Sequence, residues 1–96
     1  MEFIDSFKGR ELTKIHENLD SLQRFGLSLL RTPLVKKIIN HPAIYELRIK
    51  SEREVRFLFC LGKPYKFVIL HGFVKKTEKT PLKELKVVIK RAKEFS

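Results

Sequence analysis

A single cysteine in 96 residues leaves no partner for a disulfide, and its place inside the apolar run Phe57 to Leu61 reads as a small buried hydrophobe in a reducing compartment, not as a catalytic thiol. Metal ligands are as scarce. His16, His41 and His71 lie in unrelated segments, and with one cysteine they make no zinc-ligand spacing, so no metal or other cofactor is expected. No apolar stretch approaches the roughly 18 to 20 residues of a membrane span, and Met1-Glu2-Phe3 opens without the regions of a signal peptide. A cytoplasmic protein with no membrane partner is expected. Phosphate-binding glycine loops and Gly-x-Ser-x-Gly elbows are missing too, which removes nucleotide hydrolysis and esterase chemistry. Repeats and low-complexity segments are absent, and 1–96 has room for one domain only.

What is present is positive charge on a foldable body. Twenty-one Lys and Arg against eleven Asp and Glu give +10, while 43% apolar content and eight phenylalanines belong to a folded chain. A domain this size buries roughly 60 to 65% of its unfolded surface, enough for one core. So large an excess of charge attracts a polyanion at long range. Nucleic acid, an acidic protein partner and a merely solvated basic surface all satisfy it.

Leu12, Ile15, Leu19, Leu22 and Phe25 recur at three- and four-residue steps and predict a helix over 10–25 with that stripe inward. Gly26 follows as an αL stop, and Glu2 to Phe7 reads as a preceding helical turn. Residues 27–40 around Pro33 are too irregular for one helix and read as connecting structure, ended by His41-Pro42. Beyond that break the period becomes two. In Ile44 to Lys50, Tyr45, Leu47 and Ile49 share one face while Glu46, Arg48 and Lys50 share the other. Val55 to Leu61 resumes after a polar turn, with Arg56 able to join Arg48. Lys66 to Val74, after Gly62-Lys63-Pro64, is apolar on both faces, so its parity stays open. If Phe67, Ile69 and Phe73 face the core His71 does too, unless a bulge near Gly72 releases it.

Thr80-Pro81 starts a last helix, with threonine as cap and proline in the first position; Leu82, Leu85, Val88 or Ile89, Ala92 and Phe95 form its apolar stripe, and Lys83, Lys86, Lys90 and Lys93 its exposed side. The fold class is therefore α+β: a small antiparallel meander of about three strands, with N-terminal helices on one face and a C-terminal helix.

Arg48 and Arg56, on adjacent strands and facing the same way, can hold one phosphate in their planar donor forks. They can equally be surface arginines paired with Glu46 or Glu54. Lys75, Lys76 and Lys79 suit a phosphate backbone or a charged transition state, or form a solvated run. His71 beside them is a candidate acid or base, or a structural strand histidine.

Tyr45-Glu46-Leu47-Arg48, Val55-Arg56-Phe57-Leu58 and the stretch from Leu70 to Pro81, in series, resemble the HigB-type, phage-derived branch of the RelE/ParE toxin superfamily. The resemblance implies a ribosome-dependent messenger RNA endonuclease that works without a metal, with helices on one sheet face and RNA received on the other. It implies attack by the RNA 2′-hydroxyl on the adjacent phosphate, with Arg48 and Arg56 at the family's basic strand positions and Lys75 and Lys76 in its basic segment after the last strand. The candidate catalytic residues are then Arg48, Arg56, Lys76 and His71, with His71 or a lysine in the acid–base role, and Lys50, Lys75 and Lys79 are the candidates along the RNA. It implies as partners the ribosome, its message and a cognate helix-turn-helix antitoxin, whose complex sets the oligomeric state. Two departures stand out: the strand that opens family members is expected to be missing, and the C-terminal tyrosine of some relatives has no counterpart after Pro81. A non-catalytic relative that binds antitoxin or RNA, and a gyrase inhibitor, are the alternative readings.

Overall fold

The computed structural model describes residues 2–38, 44–62, 66–76 and 81–95. Helices α1 (Glu2–Asp5) and α2 (Gly9–Phe25) lead into a 3-10 turn, Gly26–Arg31. The strands β1 (Val35–Lys37), β2 (Tyr45–Lys50), β3 (Glu54–Gly62) and β4 (Lys66–Lys75) follow, and helix α3 (Leu82–Ala92) closes the chain with a 3-10 turn at Lys93–Phe95. The sheet is antiparallel throughout, in the order β1-β2-β3-β4. The α+β meander is as expected, with four strands in place of about three. The addition, β1, lies in the stretch read as connecting structure. It pairs Val35, Lys36 and Lys37 with Leu47, Glu46 and Tyr45, and three residues are too few for an alternation of period two to show.

The stripe of α2 packs inward as its spacing predicts, with Ile15 and Leu22 buried and Leu12 and Leu19 beside them. Phe25 departs from it and is 58% exposed, because the helix ends there. Gly26 has φ 56° and ψ −141°, and its amide donates to the Leu22 carbonyl. A glycine is needed at that φ, though the ψ belongs to the extended mirror region and not to αL.

Leu47, Ile49, Val55, Phe57 and Phe59 form the first face of the sheet, sealed against Phe7, Ile15 and Leu22 of the N-terminal segment. Gly72 admits this packing: a Cβ there would lie 2.5 Å from the Phe3 ring and 2.9 Å from that of Phe57. The second face carries a smaller core, in which Leu58, Cys60, Leu70 and Phe73 meet Val88, with Leu85, Ile89 and Ala92 of α3 packed alongside. Helices therefore lie on both faces. Cys60 is buried there, and burial pushes its thiol pKa up, which suits a packing role.

A bulge settles the parity of β4. Phe59 pairs with Ile69 but Leu58 pairs with His71, so Leu70 is supernumerary. Phe67 and Ile69 lie with the first core; past the bulge, His71, Phe73 and Lys75 share the face of Leu58, Arg56 and Glu54. Helix α3 begins at Leu82, one residue later than expected, with Pro81 in the cap position and its carbonyl accepting from the Glu84 and Leu85 amides. Leu82 is 66% exposed, so the packed stripe starts at Leu85. Lys83, Lys86, Lys90 and Lys93 are exposed as expected. Thr80, Lys79, His41-Pro42 and Lys63-Pro64 lie outside the described residues.

Candidate nucleic-acid interface

Three cross-strand rows build the charged part of the second face. Lys50, Glu54 and Lys75 are register partners, then Arg48, Arg56 and Phe73, then Glu46, Leu58 and His71. The alternation of β2 and β3 puts Glu46, Arg48, Glu54 and Arg56 on one side, and the β4 bulge brings His71 and Lys75 to join them.

Like charges directly opposite one another destabilise a sheet, yet Arg48 and Arg56 are such a pair. Glu46 is what compensates. Its carboxylate is almost fully buried, and one oxygen, Oε1, stands 3.6 Å from Arg48 Nε and 3.5 Å from Arg56 Nε. Arg56 also donates to Glu54 at 3.3 Å and to the Val55 carbonyl at 3.1 Å. The two arginines then differ in access: the Arg48 side chain is 33% exposed and that of Arg56 is 1% exposed. Lys50 and Lys76 are exposed and Lys75 is half-buried.

Arg48 and Lys50 continue into a second feature. Between α2, the Gly26–Arg31 turn and β2 lies an open cleft of about 520 Å³, lined by Lys14, Asn18, Leu29, Thr32, Leu34 and the two β2 cations among others. Lys14 comes from the outer flank of α2, which a reading of strands alone misses.

His71 is held from above. Its Nε2 bonds the Glu84 carboxylate, Arg91 approaches its Nδ1 at 3.3 Å and donates to the Leu70 carbonyl at 2.6 Å, and its ring stacks on Phe73. Guanidinium only donates, so this geometry has Nδ1 accepting and Nε2–H directed at Glu84. Glu84 and Arg91 were not among the sequence-predicted residues. Their seven-residue spacing puts them on one flank of α3, but nothing in the spacing says which sheet face that flank meets.

A separate latch fixes the turn that delivers Glu54. Arg53 donates to both oxygens of Glu11, Ser51 donates to Oε2, and the Arg53 guanidinium lies over the Phe7 ring. These hydrogen bonds from Arg53 and Ser51 hold the Glu11 carboxyl below its ordinary pKa against the opposing effect of desolvation.

Among the described residues, no helix is long and apolar enough to cross a membrane, and no three acidic, histidine or cysteine side chains gather as metal ligands would. The face offers instead a group of cations around one shared carboxylate, chemistry suited to binding a phosphodiester. No curated protein matches the chain. A family model described as phage derived protein Gp49-like (DUF891) matches residues 2–93, and the chain belongs to that family, which is associated with RelE/HigB-type toxins.

Proposed function

We propose that the protein is the HigB-type toxin of a type II toxin–antitoxin system, an endoribonuclease that cuts messenger RNA on the cytoplasmic ribosome. The observation that carries the reading is the charged half of the second face, where Arg48, Lys50 and Lys75 are brought together by strand register. Family membership supports it. Cleavage of RNA there needs no metal, because the substrate brings its own nucleophile. The 2′-hydroxyl loses its proton and attacks the adjacent phosphorus, charge builds on the pentacoordinate phosphate, and the bond to the 5′-oxygen breaks as that oxygen takes up a proton. The products are a 2′,3′-cyclic phosphate and a 5′-hydroxyl.

In this reading Arg48 and Lys76 lie against the phosphate and stabilise its developing charge, Arg56 supports the group from behind, and Lys50, Lys75 and Lys79 follow the flanking backbone. His71 moves a proton only after Glu84 or Arg91 releases a ring nitrogen. A cognate helix-turn-helix antitoxin binds the toxin, and the net charge of +10 favours an acidic surface on it.

Expression in bacteria tests the proposal. Growth should arrest, translated messages should be cut within their reading frames, and Arg48→Ala combined with Lys76→Ala should lower cleavage at least a hundredfold. Intact messages under wild-type expression would refute the activity. The occupied ring of His71 and the burial of Arg56 favour one second reading, a relative that binds antitoxin or RNA without cutting it. Co-purification with the antitoxin without growth arrest would select that one.

A further inference from the structure

Glu46 and Arg56 are deeply buried side chains for which RNA contact offers no direct role. Glu46 Oε1 is 3.6 Å from one guanidinium nitrogen and 3.5 Å from another, both beyond the usual hydrogen-bond range of about 2.7 to 3.2 Å. The same oxygen is shared by Arg48 and Arg56 and closed onto neither. Arg56 Nε is correspondingly buried with no hydrogen-bond partner among the described residues, a state a protein interior normally avoids.

We infer that Glu46 is a positioning residue and that Arg56 acts through it: the buried Arg56 fixes how firmly the Glu46 carboxylate holds Arg48, and Arg48 is the guanidinium that meets phosphate. The exchange is local. When Arg48 turns toward an incoming phosphate, Oε1 closes onto Arg56 Nε, and the hydrogen bond made inside offsets the ion pair given up outside. Without Arg56 the buried carboxylate loses one of its counter-ions and holds Arg48 more firmly, so that Arg48 is withdrawn from solution. This rests on the reading of the second face as an RNA site, but it concerns binding and not cleavage.

The probe is a 2′-O-methyl RNA trinucleotide, which has no free 2′-hydroxyl at its internal linkages and cannot be cut there. Binding is followed by the Nε–Hε resonances of Arg48 and Arg56. In the wild type the Arg48 resonance should shift saturably, and that of Arg56 should move downfield in step as its bond to Glu46 forms. Arg56→Met should weaken binding about tenfold, while the double variant Glu46→Gln/Arg56→Met should return to within about threefold of wild type. A direct contact by Arg56 predicts the opposite, a double variant as weak as Arg56→Met. That result overturns the inference, as does an Arg48 resonance that does not move. Should the single variant fail to fold, the double variant against wild type still decides, since neutral replacement of a buried ion pair is commonly tolerated. If the binding cycle holds while translated messages stay intact, the inference stands and the endonuclease activity proposed above does not.

Discussion

Strand β3 meets two different environments. Toward the first face it contributes Val55, Phe57 and Phe59, all 0% exposed and packed on the N-terminal helices; toward the second it contributes Glu54, Arg56, Leu58 and Cys60, of which Leu58 and Cys60 pack with the apolar residues of α3. Along β2 and β3 the first face is apolar throughout. The other is divided along its length, apolar where α3 lies and ionic where β2, β3 and the end of β4 bring their charges together. A side chain on the first face therefore answers to packing alone. On the ionic half, burial of Glu46 and Arg56 requires compensation by partner charges, and such compensation is weak as stability but specific in geometry. That contrast is what supports the proposal of an RNA site on the ionic half.

The contrast is broken most severely from the first face. Phe57→Ala removes a ring with 0% exposure that lies 5.6 Å from the ring of Phe3, and should cost about 3 to 5 kcal/mol. Small domains have only about 5 to 15 kcal/mol in all. Urea unfolding measures it, and a loss below about 1 kcal/mol would mean that the first face is not the closed core described above.

A smaller effect is expected where α3 meets the divided face. Arg91→Ala deletes the hydrogen bond to the Leu70 carbonyl and the contact with His71 Nδ1, at a cost of about 1 to 2 kcal/mol. Because α3 touches the sheet through a small apolar cluster, the loss should stay local. Amide hydrogen exchange should quicken in α3 and remain unchanged in α2. Equal loss of protection in both helices would show that the two faces unfold as one unit and remove the distinction between them.

How far these regions were legible in the sequence follows the same division. The stripe of α2 and the alternation of β2 and β3 are strong periodic signals, and they placed Arg48 and Arg56 together correctly. Two features were hidden for physical reasons. β1 has only Val35, Lys36 and Lys37 and is held by pairing with β2, a long-range contact that local pattern does not encode. The bulge at Leu70 reverses the parity of β4 inside a run whose residues are apolar in either phase, so neither the facing of His71 nor the surface met by α3 could be derived. Glu46 was visible as a partner for the arginines, but its burial depends on how the neighbouring strands cover it.

The smallest expected effect sharpens the comparison from the turn joining β2 to β3, which belongs to both faces. Arg53 and Ser51 hold Glu11 below its ordinary pKa, so folding favours the ionised carboxylate. The sign follows from linkage: a depressed folded-state pKa contributes stability that is complete above the unfolded-state value of about 4.3 and is lost as pH falls through the folded-state value. Glu11→Gln removes that dependence while keeping the shape of the side chain. The melting temperature of wild type minus that of Glu11→Gln should be constant between about pH 6 and 8 and should shrink steadily below about pH 4.5. Arg53 is half-exposed, so added salt should narrow the difference at neutral pH as well. A difference that stays constant into acid would mean the latch holds the turn by shape and not by charge. The first face would then reach the ionic half through packing alone.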